Sequence, residues 1–362
     1  MYKYSFFNDY SEGAHPAILE LLAKANLTQE TGYGEDDFSR QAADLLKQAV
    51  GNPAAAVHLV SGGTQANLIV LAALLRPYES VIAARTAHIA VHEAGAIEAT
   101  GHNIHTVETA DGKLTPAQIQ EVVDQHTDEH MVKPRAVFIS NSTEVGTAYR
   151  RDELAALAQC CRANRLYLYL DGARLGSALV SAGSDLTLPD LGRLVDVFYV
   201  GGTKNGALIG EAIIINNPAM QPDFRFHLKQ RGALLAKGRL LGSQLVGLFS
   251  AALRPGSDQA LYFELARHAN AMAAKLTRGL TAQGFRFLTP STTNQIFPIL
   301  PDALIAGLQR DYGFYVWSKA DAGHSVIRLV TSWATPAEKV AEFIADVGAA
   351  REAIGWPSAG DA

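Results

Sequence analysis

Cysteine is nearly absent: the 362 residues hold two, the adjacent Cys160 and Cys161. Neighbours in a segment that reads as a helix point in different directions and do not readily bridge, so a disulfide framework is excluded and a reducing compartment is expected. Charge is sparse too, at 19 % of residues, and it nearly cancels, with 31 Lys and Arg against 36 Asp and Glu. A net charge of −5 gives no electrostatic reason to expect a nucleic-acid partner. No uninterrupted apolar run reaches the roughly 18 residues of a membrane helix. The stretch from Met1 to Tyr10 lacks the apolar centre of a signal peptide. There is no internal repeat, and the last six residues read as a frayed tail. These absences point to a soluble, cytoplasmic protein without a membrane partner. What the chain does have is 48 % hydrophobic residues, enough for a large core and an uncharged patch suited to a subunit interface. Its length suits two domains.

Short β-rich runs alternate with helical patterns from about residue 57 to 215, the signature of crossover units building a mostly parallel sheet in an α/β fold. The runs are His58–Val60, Ser80–Ala83, Ala136–Ser140, Leu166–Leu170, Val195–Val200 and Ala212–Ile215. Several are apolar on both faces, as buried parallel strands are. Helices are expected over Thr64–Leu75, Pro116–Gln125 and Asp152–Ala163. After Phe224 the texture becomes helical up to Arg254-Pro255-Gly256-Ser257, a breaker run that places a domain boundary near 255. Residues 1–255 would form the large domain with an N-terminal arm. Residues 256–362 would form a small α+β domain, with helices at 259–283 and 336–350 and strands at 295–297, 314–317 and 326–330.

Three features carry chemistry. Ser61-Gly62-Gly63-Thr64 lies between a β run and an apolar helix, where two glycines, free helix N–H groups and the Thr64 hydroxyl suit a phosphate. An ordinary strand-to-helix turn would read the same way. Asp171-Gly172-Ala173-Arg174 ends the next-but-two run, putting a carboxylate at the carboxyl edge of a buried strand, where open α/β sheets bind ligands. A helix N-cap is the alternative. Gly201-Gly202-Thr203-Lys204-Asn205-Gly206 closes the following run, and a lysine among small residues there can be desolvated, freeing a neutral amine for a Schiff base. Together, a phosphate cradle, a strand-end Asp and a strand-end Lys are the parts that pyridoxal 5′-phosphate requires. No metal-ligand set stands out.

Beyond these, Asn8-Asp9, Tyr33-Gly34-Glu35-Asp36, Gly63-Thr64-Gln65-Ala66-Asn67, Ala87-His88, His92-Glu93-Ala94-Gly95 and Ile327-Arg328-Leu329-Val330-Thr331 complete a pattern. With them the chain resembles, over nearly its full length, the pyridoxal-phosphate threonine aldolases of the β-eliminating lyase superfamily. The resemblance implies an aspartate-aminotransferase-like large domain with a mostly parallel seven-stranded sheet, and a homodimer or homotetramer with shared sites. It implies that Lys204 carries the cofactor, Asp171 pairs with the ring nitrogen, and Gly62, Gly63 and Thr64 hold the phosphate. His88 would stack over the ring, with Ala173 beside it. Arg174 and Arg328 would grip the substrate carboxylate, a task suited to the planar guanidinium fork. Asn8 and Tyr33 would lie near the substrate. Lys237 or Arg239, in a basic stretch that the family supplies from a neighbouring subunit, would reach the phosphate.

One departure matters. Many threonine aldolases carry a histidine near the substrate β-hydroxyl where this chain has Glu144, in Asn141-Ser142-Thr143-Glu144. The base could be His88, Glu144 or a water; imidazole is better matched to neutral pH unless Glu144 is buried. The expected reaction is retro-aldol cleavage of an L-threonine-like β-hydroxy-α-amino acid to glycine and an aldehyde. β-Elimination or racemisation on the same scaffold, and a catalytically idle cofactor-fold protein, are the rivals.

Overall fold

The computed structural model describes residues 2–250 and 259–353. The breaker run at 254–257 and the frayed tail fall outside them. The N-terminal arm carries β1 (Tyr4–Ser5). The apolar runs that follow become β2 (Ala56–Val60), β3 (Glu79–Ala84), β4 (Asn103–Val107), β5 (Lys133–Ser140), β6 (Tyr167–Asp171), β7 (Val197–Gly201) and β8 (Glu211–Ile215). They form one sheet in the order β2-β8-β7-β6-β5-β3-β4. Only β8 is antiparallel to its neighbours. Every residue of β3, β7 and β8 is buried, which is why they read as unbroken apolar runs. The edge strand β4 is an addition to the six expected runs: Asn103, His105 and Thr106 interrupt its apolar signal.

Between the strands, the helix Pro116–Gln125 has the expected bounds and opens on a Thr115 capping box. Helices Gly63–Leu74 and Arg151–Ala163 also follow the sequence pattern closely. The helical texture after Phe224 resolves into two helices, Phe224–Gln230 and Arg239–Phe249. The basic stretch 231–238 is the connection between them, with Gly232 in the left-handed region at φ 70°.

The small domain holds β9 (Arg286–Phe287), β10 (Gln295–Ile296), β11 (Pro298–Pro301), β12 (Tyr312–Gly313), β13 (Tyr315–Lys319) and β14 (His324–Val330). Its antiparallel sheet runs β10-β14-β11-β9, with β13 also on β14. Helices Leu261–Ala282 and Ala337–Ala353 cover it. Leu261, Tyr262 and Leu265 belong to the large core and Ala273, Leu276 and Leu280 to the small one, so the first of these helices spans the seam. The arm is stitched to the small domain: β1 pairs in parallel with β12, and Phe6 is fully buried in that core. No helix among the described residues is long and apolar enough to cross a membrane.

Candidate active site

The carboxyl ends of β2, β3, β5, β6 and β7 share one edge of the sheet, and β8, running the other way, begins there with Glu211. The loops that follow deliver Ser61 to Thr64, His88, Glu144, Asp171 and Lys204 to one cavity of ≈ 310 Å³. It opens into a second of ≈ 680 Å³ that adds Arg328 and the apolar wall Val91, Tyr315, Val316 and Trp317. Tyr10, His88, Glu144, Arg174 and Lys204 line both.

At one end the helix Gly63–Leu74 starts on Gly62 with no side-chain cap, leaving its first N–H groups to face the cavity. A Cβ on Gly63 would lie 2.7 Å from the Tyr199 hydroxyl, so this approach requires glycine. At the floor, Asp171 Oδ1 accepts from the Tyr199 hydroxyl at 2.6 Å and from the Ala173 N–H at 2.9 Å. Its Oδ2 accepts from Asn67 Nδ2 at 3.1 Å. Asp171 therefore both caps its own turn and presents a fully held carboxylate. Lys204 follows β7; burial first, then the Arg174 guanidinium, push its ammonium down, against the opposing carboxylates of Asp9, Asp171 and Glu211. This is the desolvated lysine that its small neighbours suggest. The free N–H groups, the glycine approach and the lowered lysine together suit pyridoxal phosphate.

Glu144 Oε1 accepts from the Ser140 hydroxyl at 2.6 Å and from the backbone N–H of His88 at 3.0 Å. Burial pushes its carboxyl above the usual range despite these bonds. The condition that would make Glu144 a competent base is thus partly met.

Arg174 is held by Asp9, through Nε at 2.7 Å and Nη2 at 3.0 Å. Asn294 Nδ2 donates to the same carboxylate at 2.8 Å. Burial opposes the Asp9 charge, but Arg174 and Lys204 more than offset it and keep the carboxyl low. Asn8, expected beside the substrate carboxylate, instead caps its own turn, accepting from the Tyr10 N–H and the Ser11 hydroxyl. Its neighbour Asp9 is the residue that meets Arg174. Arg328, on β14, lies 5.0 Å from the Tyr315 ring centre and 5.3 Å from that of Trp317, and donates to the Phe7 carbonyl at 3.3 Å. Its Nε is buried with no partner among the described residues. Burial and Arg174 push it below the ordinary guanidinium range, the signature of a cation awaiting an anion.

Tyr33, Lys237 and Arg239 do not enter this cavity from their own chain. Tyr33 sits in a separate hollow with Arg40, His58 and Arg225, under Lys229. Arg239 donates to the carbonyls of Asn26 and Thr28, and Lys237 is exposed. Several site residues had no role assigned from sequence: Asp9, Asn67, Glu93, Tyr199 and Glu211. Glu211 had a signal, a lone carboxylate opening an all-apolar strand. Burial pushes it up to about 7, against the hydrogen bonds from Thr203 and the Gly202 N–H.

Residues 8–303 match the profile of the beta-eliminating lyases. A low specificity L-threonine aldolase of Pseudomonas aeruginosa is 35 % identical over 347 residues, covering 94 % of this chain and 96 % of the relative. The solved structure of Leishmania major threonine aldolase superposes with a TM-score of 0.92 at 48 % identity, covering 96 % of this chain and 99 % of that one. A Thermus thermophilus aspartate aminotransferase shares the fold at 16 % identity, TM-score 0.71, over 96 % of this chain and 91 % of its own.

Proposed function

The chain belongs to the beta-eliminating lyase family, and on that premise we propose that it acts as a threonine aldolase, a carbon–carbon lyase that splits L-threonine-like β-hydroxy-α-amino acids into glycine and an aldehyde. The observation that carries this is the convergence of an uncapped helix start, Asp171, a desolvated Lys204 and the Arg174–Arg328 pair on one cavity. Pyridoxal phosphate, when bound, supplies an electron sink for the bond broken at Cα. Gly62, Gly63 and Thr64 would hold its phosphate, Lys204 its aldehyde carbon and Asp171 the proton on its ring nitrogen. Arg328, with an unpaired Nε, takes the substrate carboxylate, and Arg174, fixed by Asp9, presents its remaining N–H groups beside it. His88 removes the β-hydroxyl proton. Glu144, next to it, shapes the preference for the group on Cβ.

The site is shared between copies of this chain. Leu27 and Phe226 are 91 % and 75 % exposed; Leu27 lies between Asn26 and Thr28, whose carbonyls Arg239 holds, and Phe226 follows Arg225, which donates to the Tyr33 carbonyl, so both sit by these residues on a face suited to a second subunit. Light scattering would report the homodimer or homotetramer.

The function is tested by aldehyde release over a panel of β-hydroxy amino acids, with borohydride reduction and peptide mapping in parallel. Label on Lys204 and release from threonine are expected. Label on Lys229 or Lys237 would move the site. Pyruvate or a racemised product instead of an aldehyde would point to the elimination or racemisation chemistry of the same scaffold.

A further inference from the structure

His88 is not free to choose its tautomer. Its Nδ1 lies 2.8 Å from Glu93 Oε1, and the Glu93 side chain is wholly buried while the imidazole is 34 % exposed. That oxygen already accepts from Asn67, so it faces Nδ1 as an acceptor, and in the neutral imidazole Nδ1 then carries the hydrogen and Nε2 the lone pair. The same Oε1 accepts one hydrogen of Asn67 Nδ2 at 2.7 Å, while the other goes to Asp171 Oδ2 at 3.1 Å. The Tyr169 hydroxyl donates to Asn67 Oδ1 at 2.7 Å and so fixes which way the amide points. Turned over, the amide would aim its carbonyl at two carboxylates. Glu93 Oε2 is buried with no partner among the described residues. Oε1, by contrast, faces two donors. The pieces come from helix Gly63–Leu74, the turn after His88–Val91 and β6, elements that also contribute apolar side chains to the large core.

We infer that Glu93 and Asn67 are positioning residues, Glu93 setting the Nδ1–H tautomer that leaves His88 Nε2 able to accept a proton, and Asn67 tying that histidine to Asp171 through one buried chain, His88–Glu93–Asn67–Asp171. The inference rests on the reading above that His88 takes the hydroxyl proton. Because Asn67 shares its two hydrogens between the two carboxylates, a movement of one carboxylate shifts the donor of the other and so reaches the imidazole.

The decisive variants are Glu93→Leu and Glu93→Gln. Leucine fills the space and takes the acceptor away from Nδ1. Glutamine can set its carbonyl where Oε1 stands, facing both Nδ1–H and the Asn67 amide, so it keeps the acceptor and loses the charge. In protein labelled with ¹⁵N-histidine and free of cofactor and substrate, with His88→Asn to assign the signal, the wild type should give an Nδ1–H tautomer that Glu93→Gln keeps and Glu93→Leu loses. Turnover of the loaded Glu93→Leu enzyme should fall about 10²- to 10⁴-fold, with KM and cofactor affinity changed less than about threefold, since Glu93 lines neither cavity. Asn67→Ala, which leaves the His88–Glu93 contact in place but takes the second donor from Oε1 and one from Asp171, should weaken the Nδ1–H signal and the cofactor's affinity together. An unchanged Nδ1–H signal in Glu93→Leu overturns the tautomer assignment whatever the turnover. Full activity in Glu93→Leu beside an inactive His88→Asn overturns the positioning role. If Asn67→Ala moves only one of the two readouts, the chain through Asn67 is wrong. An active His88→Asn would instead sink the reading of His88 as base, an outcome separate from the tautomer signal.

Discussion

Glu144 and His88 meet through a backbone N–H, so the two candidate bases share one corner of the cavity, and a substitution can separate them. Glu144→Gln keeps the shape and the bonds from Ser140 and His88 while removing the charge. With His88 as base, most of the rate should survive and the preference among threonine, serine and phenylserine should change. A loss of about 10²- to 10⁴-fold in that variant, beside an active His88→Asn, would transfer the role to Glu144. Arg328→Ala should raise KM far more than it weakens cofactor binding, because losing a charge-assisted contact costs on the order of 2 to 5 kcal/mol. A variant with the wild-type KM that sheds cofactor would assign Arg328 to the phosphate. At this scale the sequence made Asp171 and Lys204 legible, since each is a charged residue closing or following an apolar run. It could not show Asp9, whose partner Arg174 is 165 positions away, nor Asn67, whose partner Asp171 is 104 away. An asparagine in a helix or an aspartate in an arm has no local pattern that distinguishes a held one from a solvated one.

Among the elements, the start of helix Gly63–Leu74 is tightly constrained. Its first residue must lack a side chain because the Tyr199 hydroxyl occupies that space while bonding Asp171. Gly63→Ala should therefore push Tyr199 aside and weaken cofactor binding by the worth of a hydrogen bond to a charged group, about 1.5 to 3 kcal/mol, or roughly ten- to a hundredfold. Absorbance titration of the cofactor would measure it. Adding Tyr199→Phe removes the clashing oxygen, so the double variant should lose no more than Tyr199→Phe alone; an additive loss would show that the clash is not the cause. Elements as such are well written in the sequence: strands buried on both faces announce themselves as apolar runs, and the helix capped by Thr115 keeps its expected bounds. β4 was not legible because an edge strand buries little, and its polar residues dilute the run. β9, β10 and β12 are two residues each, too short for any periodicity, and exist because β11, β14 and β1 offer them partners.

For the molecule as a whole, the arm joins the two cores, since Phe6 is packed in the small one and Asp9 holds Arg174 of the large one. Acid should loosen this arrangement from another direction. His58 lies on β2, its ring stacked at 4.9 Å on Phe224, and burial, aided by Arg225, pushes its imidazole down to about 4 from an ordinary 6.5. Between those two values the unfolded chain binds a proton that the folded chain refuses. The unfolded state then holds more protons, so stability rises with pH across this window and is lost as pH falls from about 6.5 to about 4. The gap corresponds to about 3 kcal/mol in full, and about 2 kcal/mol of it is spent by pH 5. Urea unfolding at pH 7 and pH 5, at one protein concentration so that subunit association does not shift the comparison, should show that difference. In His58→Leu, which packs against Phe224 without titrating, the drop between the two pH values should shrink by about 2 kcal/mol. The same drop in variant and wild type would mean that His58 takes up its proton in the folded state as readily as in the unfolded one, and that the acid sensitivity lies elsewhere.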